Sequence, residues 1–185
     1  GADYVYLIED KRLSTFLVEP QARLLINLIE RYHPEVVIAA ATTTGRTLMP
    51  YVAAQIHAGL TADCTGLAMD KLTGCLLQTR PAIGGNILAT IKTPTARPQM
   101  ATVRPKSTRI PDREPSRTGE IIRIDKNEHL MASRVTFEQF VPDADGDASI
   151  EDADIVIAGG AGVRKAEGFD TIEQLATLLG GAVGA

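Results

Sequence analysis

The chain has 185 residues, 44% of them hydrophobic, enough to bury one full domain core with part of a second. Its formal charge of -4 and pI near 5.4 give no basic footprint, which argues against nucleic acid or an anionic membrane surface as a partner. Aromatic residues make up only 4% and tryptophan is absent, so the usual stacking platform for single-stranded nucleic acid is missing.

Tyr4-Val-Tyr-Leu-Ile8 is a short β-rich run, followed by a helix over 20–31 with Leu24, Leu25, Leu28 and Ile29 on one face. Pro20 suits the first turn and Pro34 stops the helix. Val36-Val-Ile-Ala-Ala40 is apolar on both faces, the pattern of a parallel strand covered by helices. The next helix places Leu48, Met49, Val52, Ala53 and Ile56 on one side, begins near Pro50 or kinks there, and ends at Gly59. From 62 to 103 come short extended runs punctuated by Gly74, Pro81, Gly84 and Gly85, expected to add strands to the same sheet. Residues 104–118 hold three prolines among basic side chains and read as a loop or arm. Residues 119–124 and 134–141 alternate as half-exposed strands do.

The acidic stretch 142–152 is the expected linker between a first domain, 1–141, and a second unit, 153–185. That unit reads as strand 154–158, a glycine turn at Gly159, Gly160 and Gly162, a helix over 169–179, and the opening of another strand. The expected class is α/β: a Rossmann-like, mostly parallel sheet with flanking helices, plus the start of a second α/β unit. No apolar run approaches the roughly 20 residues a membrane helix needs, so no membrane insertion is expected. Cys64 and Cys75 lack metal-ligand spacing, and a reducing, cytoplasmic setting fits them.

Two strand-to-helix turns are candidate sites. Thr42, Thr43, Thr44 and Gly45 offer hydroxyls and backbone N–H groups to an anion, or else simple N-capping and a tight turn. Gly159, Gly160, Ala161 and Gly162 suit the close approach of a phosphate or flavin, or a tight turn alone. Arg80, Arg97 and Arg104 stand beside stiff Pro or Gly backbone, where a guanidinium can be held for an anion or can pair across an interface. His33, His57 and His129 receive no role. Asp143, Asp145 and Asp147 do not make a calcium loop, because Ala148 takes the place of the required glycine. No hydrolytic or nucleophilic constellation is present in the sequence pattern.

Thr42-Thr-Thr-Gly-Arg46, Gly59-Leu-Thr-Ala-Asp-Cys64, Arg80-Pro-Ala-Ile-Gly-Gly-Asn86 and Thr95-Ala-Arg-Pro98 together resemble the electron-transfer flavoprotein alpha subunit over nearly the whole chain. Gln78-Thr-Arg-Pro81 and Arg97-Pro-Gln-Met100 look more like its anaerobic, electron-bifurcating branch. The resemblance implies a first domain that acts as a nucleotide-fold scaffold and pairs with a beta subunit as a heterodimer. It implies a second domain that binds FAD, carrying electrons between a dehydrogenase and a downstream acceptor, so an electron carrier rather than a stand-alone enzyme. By that likeness Gly159, Gly160, Ala161, Gly162 and Arg164 are the cofactor-binding residues, with Ala161 where the family's Gly-Arg-Gly turn has arginine and Arg164 close by to compensate. The chain is expected to lack the family's first β-α-β unit and its later flavin loops. The alternative is a noncatalytic assembly or nucleotide-sensing module on the same scaffold.

Overall fold

The computed structural model describes residues 2–112, 114–125, 127–139, 141, 150, 153–163 and 165–185, with backbone alone at residue 83. The chain divides into two compact units, Gly1–Phe137 and Glu138–Ala185. The expected linker 142–152 lies, apart from Ile150, outside the described residues.

In the first unit, β1 (Tyr4–Leu7) leads through a short 3-10 turn to α1 (Val18–Tyr32), β2 (Val36–Ala40) and α2 (Thr43–Gln55). Pro20 falls in the first turn of α1, and His33 closes the helix at φ 46 with its N–H on the Ile29 carbonyl, just before Pro34. Helix α2 starts seven residues before Pro50, with Thr42 Oγ1 accepting the Gly45 N–H at 3.3 Å. Pro50 lies on the exposed side, where water can satisfy the carbonyl that its ring leaves without a donor.

Strands β3 (Leu60–Cys64) and β7 (Gln99–Val103) complete a parallel sheet of order β2-β7-β3. Both helices pack on one face, where Ala22, Ile29, Met49, Val52, Ala53 and Met100 form a buried cluster. The other face departs from the expectation of a helix layer. Strands β4 (Gly66–Met69), β5 (Leu76–Ala82) and β6 (Ile87–Ile91) do not extend the parallel sheet; they form their own antiparallel meander. The meander packs Leu76 and Leu67 against Cys64, Ala101 and Val36. Its short turns allow antiparallel pairing, whereas a parallel continuation needs crossovers of a dozen or more residues. The central strand β7 is therefore buried from Gln99 to Thr102, and Ile38 on the edge strand β2 remains 53% exposed.

Strand β8 (Glu120–Arg123) pairs in parallel with β1, in register Tyr4↔Glu120. The strand expected over 134–141 does not form at its described residues. The Arg134 N–H donates to the Glu19 carboxylate and the Val135 N–H to Ser133 Oγ, so these donors are taken by side chains instead of a ladder.

The second unit is a short β-α-β: β9 (Val156–Ala158), α3 (Phe169–Leu179) and β10 (Ala182–Gly184), the strands paired in parallel. Gly180 caps α3 at φ 64, a conformation that costs glycine little.

Met49 is 1% exposed between the helices and the sheet. Met49→Ala is expected to lower unfolding free energy by about 2–5 kcal/mol, read from chemical denaturation.

Candidate functional site

At the carboxyl end of the parallel sheet the loops after β2, β3 and β7 converge, where open α/β sheets commonly bind ligands. Gly45 is required there for a packing reason: a Cβ at this position would collide with the Ala40 carbonyl oxygen. Together with the Thr42 cap, this makes the Thr-Thr-Thr-Gly run a tight strand-to-helix junction.

Asp63 is the hub of the edge. It sits at φ 59, its N–H donates to Thr102 Oγ1 at 2.9 Å, and the pairing of β3 with β7 shifts register between Thr61 and Cys64. Its carboxylate accepts from Arg104 Nε at 3.1 Å and Nη2 at 2.7 Å, and pairs with Arg46 Nη2 at 3.2 Å. Arg46 Nε also donates to the Ala41 carbonyl at 2.9 Å, which holds the guanidinium over the junction. The Arg104 hydrogen bonds keep the Asp63 carboxyl below its ordinary range; burial opposes them, and the charges of Arg104, Arg46 and Arg80 act in the same sense as the bonds. Burial pushes the neighbouring Cys64 thiol up, which makes it an unreactive core residue.

Of the three arginines singled out by sequence, Arg104 and Arg80 share this end of the sheet and Arg97 does not. Arg97 lies at the amino ends of the strands, paired with Glu35 at 2.7 Å beside a cleft of about 380 Å³. Its Nη1 donates to the carbonyls of Thr93, Pro94 and Ala96, a loop-stapling role. Arg80 is half-buried, and among the described residues its side chain makes one weak bond, Nε to the Pro81 carbonyl at 3.4 Å. Beside it on β5, Gln78 is fully buried with neither amide atom hydrogen-bonded. Sequence reasoning gave Arg46 and Asp63 no role. The Asp63 signal is a left-handed backbone that no composition rule shows.

In the second unit the glycine turn follows β9, as expected from sequence. Gly159 is a packing glycine, since a Cβ there would meet Ile172, Val163 and Phe169. Gly160 and Gly162 have nothing within 4 Å of a would-be Cβ. Gly159, Gly160, Ala161, Lys165 and Phe169 line a cavity of about 420 Å³. The turn thus presents side-chain-free backbone toward open space, an open cradle with Lys165 at its wall. Arg164 lies outside the described residues, as do Asp143, Asp145 and Asp147. Among the described residues no group of His, Cys, Asp or Glu could hold a metal ion, and no helix is long and apolar enough to cross a membrane.

The fold and its two loop clusters define a two-unit α/β protein of Rossmann-like class, with a basic sheet edge in one unit and a glycine cradle in the other. Comparison with known proteins is more specific. Residues 1–129 match the electron transfer flavoprotein domain, and residues 149–185 match the electron transfer flavoprotein FAD-binding domain. The chain belongs to the electron transfer flavoprotein family.

It is 43% identical to the electron transfer flavoprotein subunit alpha of Thermoanaerobacterium thermosaccharolyticum, over 100% of this chain and 56% of that protein. It is 40% identical to the subunit alpha of Megasphaera elsdenii, over 100% and 55%, and 42% identical to protein FixB of Rhizobium meliloti, over 100% and 52%. The chain spans about half the length of the curated relatives it matches.

Asp63→Asn removes the charge while keeping a residue that tolerates the left-handed backbone. A carboxyl depressed by folding stabilises the fold above its unfolded pKa of about 4 and loses that contribution as pH falls through the folded value. The variant should therefore be less stable by about 1 kcal/mol at neutral pH, the gap closing on acidification, in melting curves taken from pH 7 to 3.

Proposed function

We propose that this chain is part of an electron-transfer flavoprotein alpha subunit that works as a heterodimer with a beta subunit, shuttling electrons through FAD between a dehydrogenase and a downstream acceptor. The observation that carries the reading is the glycine cradle of the second unit, within the stretch that matches the FAD-binding domain. The division we propose is a scaffold domain over 1–141, a linker over 142–152 and the beginning of the FAD-binding domain over 153–185. The change of compact unit after Phe137, and family matches that end at 129 and resume at 149, support a boundary between 129 and 149.

When bound, the flavin supplies the acceptance and release of electrons, and the protein supplies binding and orientation. Gly159, Gly160, Ala161 and Gly162 would hold part of the cofactor, Gly160 and Gly162 by leaving open space for its approach to the backbone. Lys165 offers a cation at the same wall, and Arg164 is a second candidate. With alanine at 161, positive charge at this turn has to come from such neighbours. The sheet edge of the first unit orients rather than reacts: Arg46 and Arg104 are fixed by Asp63, and Arg46 also by the Ala41 carbonyl. A cytoplasmic location agrees with two buried cysteines left as free thiols.

The full-length protein purified with its beta subunit should be yellow, with about one flavin per alpha subunit by absorbance. A colourless but intact complex would overturn the flavin reading and favour an assembly or nucleotide-sensing module instead.

Arg80 and the turn at Gly84 and Gly85, with φ of 68 and 77, are assigned to the beta-subunit interface, because a half-buried guanidinium on a stiff frame has few internal partners. Arg80→Ala should leave stability within roughly 0.5 kcal/mol while weakening assembly. A structural arginine would instead cost roughly 3–5 kcal/mol and leave affinity for the partner unchanged. Melting temperature and partner affinity on the same variant separate the two outcomes.

A further inference from the structure

We propose that Glu19 and Arg134 form a latch that fastens the strap 128–137 across helix α1 and so sets the fixed end of the chain leading into the second unit. This inference is independent of the redox reading. Glu19 lies in the first turn of α1 and is 5% exposed, a carboxylate taken out of water that must be paired. Oε2 accepts the backbone N–H of Arg134 at 2.8 Å, and Oε1 accepts Arg134 Nε at 2.6 Å. Arg23, one turn along α1, pairs with the same carboxylate at 3.8 Å and donates to the Ala132 carbonyl.

The rest of the strap is held in series. Arg12 bridges Asp10 and Glu128 at its start, with Nη1 to Glu128 Oε2 at 2.9 Å, and Met131 from the 3-10 turn Glu128–Met131 is buried. Beyond Arg134 the pattern stops: Val135 and Phe137 are exposed and the remaining bonds are local to Ser133. Among the described residues of the strap, the last fastening to the packed interior is therefore Glu19. Its partner side chain is 84% exposed while its own is 6% exposed, so only the Glu19 half of the latch belongs to the packed interior.

The Arg134 amide reports on the latch directly, because its acceptor is the Glu19 side chain. Hydrogen exchange on the whole chain should show protection of the strap that ends at Arg134, with the amides of Thr136, Phe137, Glu138 and Gln139 exchanging freely. Glu19→Gln and Arg134→Ala should each speed exchange at Leu130, Met131 and Arg134 by about tenfold, leaving β7 amides unchanged. If Glu19→Gln also opens β7, Arg134→Ala decides, since it leaves α1 intact. Unchanged exchange of the strap in Arg134→Ala, or a wild-type protection boundary already at Glu128, would overturn the proposal.

Discussion

The burial of β7 is the constraint on which the first unit depends. A strand paired on both edges and covered on both faces gives its polar side chains no water, so each needs a partner inside. Gln99 Oε1 accepts the Leu76 N–H at 2.7 Å, which ties the meander to the parallel sheet. Thr102 Oγ1 accepts the Asp63 N–H, which helps hold Asp63 in its left-handed conformation and aims the carboxylate at Arg104. The electrostatics of the sheet edge thus follow from a requirement of the core.

That edge is positively biased within an acidic protein. One carboxylate serves Arg46 and Arg104, and Arg80 adds a third guanidinium nearby, so positive charge is in excess locally although the chain carries -4 overall. Fixed charge of this kind orients a partner and selects its sign. The second unit contributes something different, a glycine turn with open space beside Gly160 and Gly162 and Lys165 at its wall.

Much of this was legible in the residues. The 3.6-residue periodicity of Leu24, Leu25, Leu28 and Ile29 marked α1, and the apolar run at Val36 marked β2, because burial demands those patterns directly. Strand alternation over 134–141 misled, since a buried carboxylate on a distant helix outcompeted sheet pairing for the Arg134 N–H, and no local pattern reports such a partner. The meander was read as runs of strand but assigned to the wrong sheet, because direction of pairing depends on tertiary contacts. Arg97 and Arg104 looked alike in sequence, each beside proline. One precedes β7 and the other follows it, and this alone sends them to opposite ends of the sheet.

The pairing of β1 with β8 has a consequence for synthesis. The strands meet in register from Tyr4↔Glu120 to Leu7↔Arg123, so the first edge strand finds its neighbour only after more than a hundred further residues have been made. At about 5–20 residues/s, β1 waits on the order of ten seconds for its β8 partner while α1, β2, α2, β3 and β7 emerge and pack. Closing so long a segment costs little more entropy than closing one of half the length, so the delay is kinetic rather than thermodynamic. During that interval Tyr4, Val5 and Tyr6, apolar and β-prone, are a segment that a chaperone or another nascent chain could engage before β8 arrives.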